Sequence, residues 1–124
     1  MLAWLAAEGR RLANTCLWSW QGWTAAWSTE KSLRQWSLAN VLSATLAFAL
    51  PLSTGERALI LALGVLVLAA ELMNTAIESV VNYIATEHHP LAGKAKDCGS
   101  ATVALTALAA GVAWVVLLWG LWAG

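Results

Sequence analysis

Charged residues are scarce in this chain of 124 residues, and their scarcity excludes most soluble folds. Only 11% of the residues are charged and 60% are hydrophobic, whereas soluble domains carry about 25% charged residues. Seven basic and seven acidic residues balance to a formal net charge of zero, which argues against a nucleic-acid partner. Together with a mean hydropathy of +0.65, this composition predicts a single integral membrane domain over residues 1–124.

Cysteines are few and the familiar nucleotide-binding loops are missing. Cys16 and Cys98 both fall on the predicted cytoplasmic side, where the reducing environment disfavours a disulfide. No GxxxxGK[ST] loop and no kinase glycine loop occurs, so a nucleotide site in this chain would have to be unconventional. Residues 1–9 lack the basic start and apolar stretch of a cleavable signal peptide.

Three runs without charge, residues 36–52, 58–70 and 99–124, indicate membrane helices. We predict an all-α membrane protein with an amphipathic surface helix at about residues 2–28, followed by three transmembrane helices. The predicted spans cover residues 33–52, 57–84 and 97–122.

The distribution of basic residues predicts the orientation of the chain. Six of the seven lie on the side that carries the N-terminus and the linker between the second and third spans. The positive-inside rule makes that side cytoplasmic and places the C-terminus outside. The nine tryptophans cluster near the two predicted membrane boundaries, as anchoring aromatic belts do.

A polar stripe interrupts the second predicted span. At about 100° per residue, Glu71, Asn74, Glu78 and Asn82 share a sector roughly 80° wide. Residues 58–70 precede them and cover only about 20 Å of a ~30 Å hydrocarbon layer, so the helix carries Glu71 to membrane depth. Because an ionised carboxylate there costs at least ~2.5–3.5 kcal/mol, the stripe should face protein, a metal ion or a wet cleft.

Further polar residues converge on the cytoplasmic boundary. Glu30 precedes the first span, and the linker after the second contributes His88, His89, Lys94, Lys96 and Asp97. Carboxylates with an amide suit Mg²⁺ better than zinc, and lysines beside acidic groups suit a phosphorylated ligand. Two plainer interpretations stay open: Glu71 is a structural buried carboxylate, and the lysines only set the orientation of the chain.

Three segments carry a resemblance to a known family: AAWSTEKSLRQ, AELMNTAIESVVNYI and EHHPLAGKAKDCGSATV, at residues 25–35, 70–84 and 87–103. In their order and spacing the chain resembles the small prokaryotic diacylglycerol kinases, which are integral membrane lipid kinases, over about residues 9–122. The resemblance implies a homotrimer in the bacterial inner membrane, with active sites shared between neighbouring chains.

The resemblance also implies roles for individual residues. Glu71 is expected to be the catalytic base, Glu30 and Glu78 to hold the Mg²⁺ of ATP, and Asn74 to orient Glu71 or the lipid hydroxyl. Lys96 is expected to act in catalysis on the phosphates. Further positions near the nucleotide are Arg11, Trp18, Glu87, His89 and Asp97. Positions near the lipid substrate, besides Glu71, are Trp20, Arg34, Gln35 and Ser100.

The expected reaction transfers the γ-phosphate of ATP to diacylglycerol, giving phosphatidic acid and ADP. Two alternatives remain open from the sequence. One is an undecaprenol kinase of the same family, which would run the same reaction on a polyprenol. The other is a non-enzymatic channel or transporter subunit, in which Glu71 and Glu78 would line a pathway.

Overall fold

The computed structural model describes residues 1–85 and 87–124, and every regular element within them is an α-helix. The helices are α1 (Leu2–Thr29), α2 (Lys31–Ala49), α3 (Thr54–Ile84) and α4 (Pro90–Ala123). The all-α class is therefore as predicted. Helices α3 and α4 are long and apolar enough to cross a membrane. Helix α2 has 19 residues but is less apolar, and the third crossing stays a prediction.

A single residue, Glu30, separates α1 from α2. Its backbone is extended (φ −94°, ψ 111°), and its N–H donates to the Ala26 carbonyl at 2.7 Å. One turn into α2, the Arg34 Nη1 donates to the Trp27 carbonyl at 2.6 Å. This bond engages a carbonyl that the end of α1 leaves without a helical partner. The two bonds hold the corner between α1 and α2.

The turn between α2 and α3 is closed by side chains. Ser53 and Glu56 form a capping box, in which the Ser53 N–H donates to Glu56 Oε2 at 2.7 Å and the Glu56 N–H donates to Ser53 Oγ at 3.3 Å. Arg57 donates to the carbonyls of Ala47 and Leu52 at 3.0 and 3.1 Å. These bonds satisfy backbone groups that would otherwise be left free where α2 ends.

Helix α4 begins earlier than the predicted third span. Pro90 is its first residue, and His89 is the N-cap, its Nδ1 accepting from the Leu91 N–H at 3.2 Å. Proline suits this position because the first helical N–H has no partner in any case. Most of the predicted polar linker is therefore the first part of a long helix, and it places Lys96 and Asp97 on helical turns.

Helix α3 lies between its neighbours and packs most extensively on α4, then on α2. A small cluster of Ala47, Leu52 and Ile60 closes the end opposite the acidic residues, and Trp114 Nε1 of α4 donates to Ser43 Oγ of α2 at 2.8 Å. The chain exposes 8918 Å², whereas a compact soluble monomer of this mass exposes about 6,400 Å². Many of the exposed side chains are large and apolar, as expected for surfaces that meet lipid or other subunits.

One close approach brings α2 against α3. A Cβ on Gly64 would overlap Asn40 Oδ1, and the Asn40 Nδ2 donates to the Trp36 carbonyl at 3.1 Å. Gly64 itself is buried. The glycine therefore makes room for an amide that is already tied to its own helix.

Replacing Gly64 with alanine should destabilise the fold, because the new methyl group must displace the Asn40 amide. We expect a loss of about 1–3 kcal/mol, the usual cost of overpacking, seen as a lower midpoint of thermal unfolding in detergent. In an Asn40→Ala background the same change should cost much less, since the obstructing amide is gone. Gly120→Ala is the control because a Cβ there meets nothing within 4 Å. Equal losses with and without Asn40 would contradict this account of the contact.

Candidate active site

Glu71 is buried in the helical bundle, with 3% of its surface exposed. It is the one buried charged residue among those that the structure describes. The Ser32 hydroxyl, in the first turn of α2, donates to Glu71 Oε1. The second oxygen of the carboxylate has no hydrogen-bond partner within the described residues, and it keeps some access to solvent. The candidate site therefore centres on a buried carboxylate, and one of its two oxygens is already hydrogen-bonded within the protein.

Ser32 is not among the site residues predicted from the sequence. It lies 39 residues from its partner, and a single serine in a short polar segment carries no periodic signal. The bond also locates Glu30, which lies two residues earlier in the corner at the same end of α2. Glu30 is half-buried, and its Oε1 accepts from Thr29 Oγ1 at 2.9 Å.

Asn74 connects the acidic stripe to α4. Its Nδ2 donates to Glu78 Oε1 at 3.1 Å, one turn along the same helix, so the amide contacts Glu78 rather than Glu71. Its Oδ1 is buried without a hydrogen-bond partner among the described residues. That oxygen lies against Gly99, where an added Cβ would overlap it. Gly99 thus lets α4 approach the stripe closely enough to confine the amide.

Glu30 and Glu78 are the carboxylates predicted to bind Mg²⁺. The residues that the structure describes contain no group of three or more acidic, histidine or cysteine side chains suited to hold a metal ion. Glu30 and Glu78 each have one oxygen without a hydrogen-bond partner in the described part of the chain. Mg²⁺ commonly takes one or two carboxylates, with water and substrate phosphates completing its octahedron. The donor set fits an ion that arrives with a phosphorylated ligand.

A polar cavity of about 260 Å³ lies between the end of α3 and the start of α4. Glu87, His88, His89 and Lys96 line it, together with Asn82. Because the His89 Nδ1 caps α4, only its Nε2 is left to face a ligand. Lys96 is half-buried, which places a positive charge beside a cavity that could take phosphate groups.

An apolar groove of about 530 Å³ lies between α1 and the middle of α2. It is lined by Trp20, Trp23 and Trp27 of α1 and by residues that include Leu68 of α3. Trp23 and Trp27 stack with their ring centroids 6.0 Å apart. Trp20 therefore borders a groove whose volume and apolar lining suit hydrocarbon chains.

Several predicted site residues lie apart from this cluster. Arg11 is exposed on α1 and pairs with Glu8, with 3.1 Å between its Nε and Oε2. Four further predicted site residues are exposed: Trp18, Gln35, Asp97 and Ser100. In the described part of the chain, no hydrogen bond joins any of them to Glu71, Asn74 or Glu78.

Comparison with known proteins identifies the family. A family model described as prokaryotic diacylglycerol kinase matches residues 17–118. The chain belongs to this family. A diacylglycerol kinase of Escherichia coli K12 is 38% identical over 109 residues, covering 88% of this chain and 89% of the relative. One from Pseudomonas aeruginosa PAO1 is 43% identical over 113 residues, covering 90% of each.

A third relative, a diacylglycerol kinase of Haemophilus influenzae Rd, is 37% identical over 103 residues, covering 83% of this chain and 87% of its own. The resemblance inferred from three short segments is thus confirmed across most of the chain. So is the prediction of an enzyme of the diacylglycerol kinase family, which removes the non-enzymatic alternative.

Gly99→Ala should lower turnover by acting through Asn74. The new methyl group would push the amide away from Glu78, and loss of a hydrogen bond to a charged group predicts a decrease of roughly 10-fold. The measurement is the initial rate of lipid phosphorylation in mixed micelles. In an Asn74→Ala background the glycine change should alter the rate by less than about twofold, because nothing remains to be displaced. Multiplicative losses in the double variant would show that Gly99 acts by another route.

Proposed function

We propose that this protein transfers the γ-phosphate of ATP to diacylglycerol, giving phosphatidic acid and ADP, at the cytoplasmic face of the bacterial inner membrane. Membership of the family and the names of the relatives support this substrate. The observation that carries the proposal is the buried Glu71 carboxylate. An isolated ionisable group in an apolar helix is a functional candidate by default.

Glu71 would act as the general base. Its Oε1 is engaged by Ser32, so its second oxygen is the one available to the lipid hydroxyl. As the hydroxyl oxygen attacks the γ-phosphorus in line, its proton passes to Glu71 and the bond to the β-phosphate oxygen breaks. The lipid tails can stay in the hydrocarbon, because the hydroxyl of diacylglycerol lies at the membrane surface.

Glu30 and Glu78 would hold the Mg²⁺ that accompanies ATP. Asn74 donates to one carboxylate oxygen of Glu78. This bond would leave the second oxygen of Glu78 available to the ion. When bound, Mg²⁺ neutralises charge on the phosphates. Lys96 would do the same from the polar cavity that it lines with Glu87 and His89. Arg11, Trp18 and Asp97 would complete the nucleotide end of the site.

A homotrimer of three-span subunits would supply what one chain lacks. Asp97 and Ser100 face outwards from α4, and the exposed area exceeds that of a compact monomer of this mass. Residues of a neighbouring subunit would therefore enclose a site that is open in a single chain. Positive charges at the start of α2 and in the first turns of α4 support a cytoplasmic position for those ends under the positive-inside rule.

The lipid would lie along the tryptophan-lined groove. Trp20 borders that groove, and Arg34 and Gln35 are exposed one turn into α2, close in the chain to Ser32. Their polar groups suit the glycerol end of the lipid, and the indole rings suit its upper hydrocarbon. Ser100 would approach the hydroxyl from α4.

Transfer of radiolabel tests the proposal. The purified protein in detergent micelles would receive Mg²⁺, ATP labelled at the γ-phosphate, and diacylglycerol, undecaprenol or no alcohol. We expect label in phosphatidic acid and little in polyprenyl phosphate. Label only in the polyprenol would overturn the substrate, and no label in either lipid would overturn the kinase proposal.

A further inference from the structure

The hydrogen bond between Ser32 and Glu71 gives the site a feature that the acidic stripe alone does not predict. We propose that Ser32 is a positioning residue, whose hydroxyl holds one oxygen of the Glu71 carboxylate so that the other meets the lipid hydroxyl. The inference rests on the proposed role of Glu71 as the base and adds a residue to that same site.

The first argument is the direction of the Ser32 hydroxyl. Most serine and threonine hydroxyls on these helices donate back to a carbonyl of their own helix three or four residues earlier, as Ser37, Thr45, Ser79 and Thr106 do. Ser32 is the second residue of α2, so no carbonyl of that helix precedes it by four residues. Its hydroxyl is therefore free to reach across to α3.

The second argument is that the backbone around Ser32 is held in place. Leu33 is fully buried, at 0% exposure, which sets the rotation of the first turn of α2. Arg34 ties the same turn to the Trp27 carbonyl. Because the two residues after Ser32 hold this turn in place, little conformational entropy is lost when the Ser32 hydroxyl forms its hydrogen bond.

The third argument is electrostatic. A serine donates to the carboxylate without bringing a positive charge, so it orients Glu71 without neutralising it, as a lysine or arginine would. Helix α2 has no side-chain cap at its start, and the positive end of its dipole therefore favours a negative charge nearby. The Glu71 carboxylate, which accepts from Ser32 in the first turn of α2, lies at this end of the helix.

The test compares Ser32→Ala, Ser32→Thr and Ser32→Val with the wild-type protein, using Mg²⁺-ATP and diacylglycerol in mixed micelles. We expect the alanine and valine variants to lose roughly 10- to 100-fold in kcat, the range for a lost hydrogen bond to a charged group. Their KM for ATP should stay within about twofold of the wild-type value, because Ser32 is proposed to act on the base and not on the nucleotide. Threonine keeps the hydroxyl and should restore most of the rate.

Threonine and valine have nearly the same shape, so the pair separates the hydroxyl from packing even if alanine perturbs the fold. The control is Thr106→Val, which removes a half-buried hydroxyl bonded only within α4 and should leave kcat unchanged. Equal rates for Ser32→Thr and Ser32→Val, or a kcat within twofold of wild type for Ser32→Ala, would overturn the inference. If the wild-type protein labels no lipid, it is the proposed function that fails instead.

Discussion

A carboxylate inside an apolar helix must be kept away from lipid, and the arrangement around Glu71 follows from that constraint. The cost of exposing the charge to hydrocarbon is at least ~2.5–3.5 kcal/mol, while the fold leaves only 3% of the residue exposed. A donor from α2 compensates the buried oxygen. Shielding Glu71 therefore requires α2 to begin beside α3, which in turn fixes the corner at Glu30 and brings a second carboxylate to the same end of the bundle.

The same type of contact, a glycine against an asparagine side chain, occurs twice along α3. Asn40 of α2 fits against Gly64 of α3, and Asn74 of α3 fits against Gly99 of α4. In each pair a helical glycine makes room for an amide oxygen, and the amide nitrogen donates along its own helix. The first pair sets the distance between α2 and α3, and the second confines the amide that contacts Glu78. The close packing of the helices therefore also determines the geometry of the acidic stripe.

The helical class and the acidic stripe on α3 could be predicted from residue periodicity. The 3.6-residue repeat was enough to place Glu71, Asn74 and Glu78 on one face of a helix, because that relation is local. Contacts between distant residues were not accessible in the same way: Ser32 meets Glu71 across 39 residues, and Gly99 has no signal beyond being small. Helix α4 starts at Pro90 with His89 as its N-cap, whereas the predicted third span starts at residue 97, because hydropathy marks the apolar part of a helix and not its polar first turns.

The proposed mechanism depends on Glu71 being the group that accepts the proton. The most direct measurement compares Glu71→Gln with wild type for lipid phosphorylation and, separately, for binding of Mg²⁺-ATP. Glutamine keeps the shape and can still accept from Ser32, but it cannot take up the proton. If Glu71 is the base, turnover is abolished in this variant while nucleotide binding persists; near-normal turnover would show that another group takes the proton.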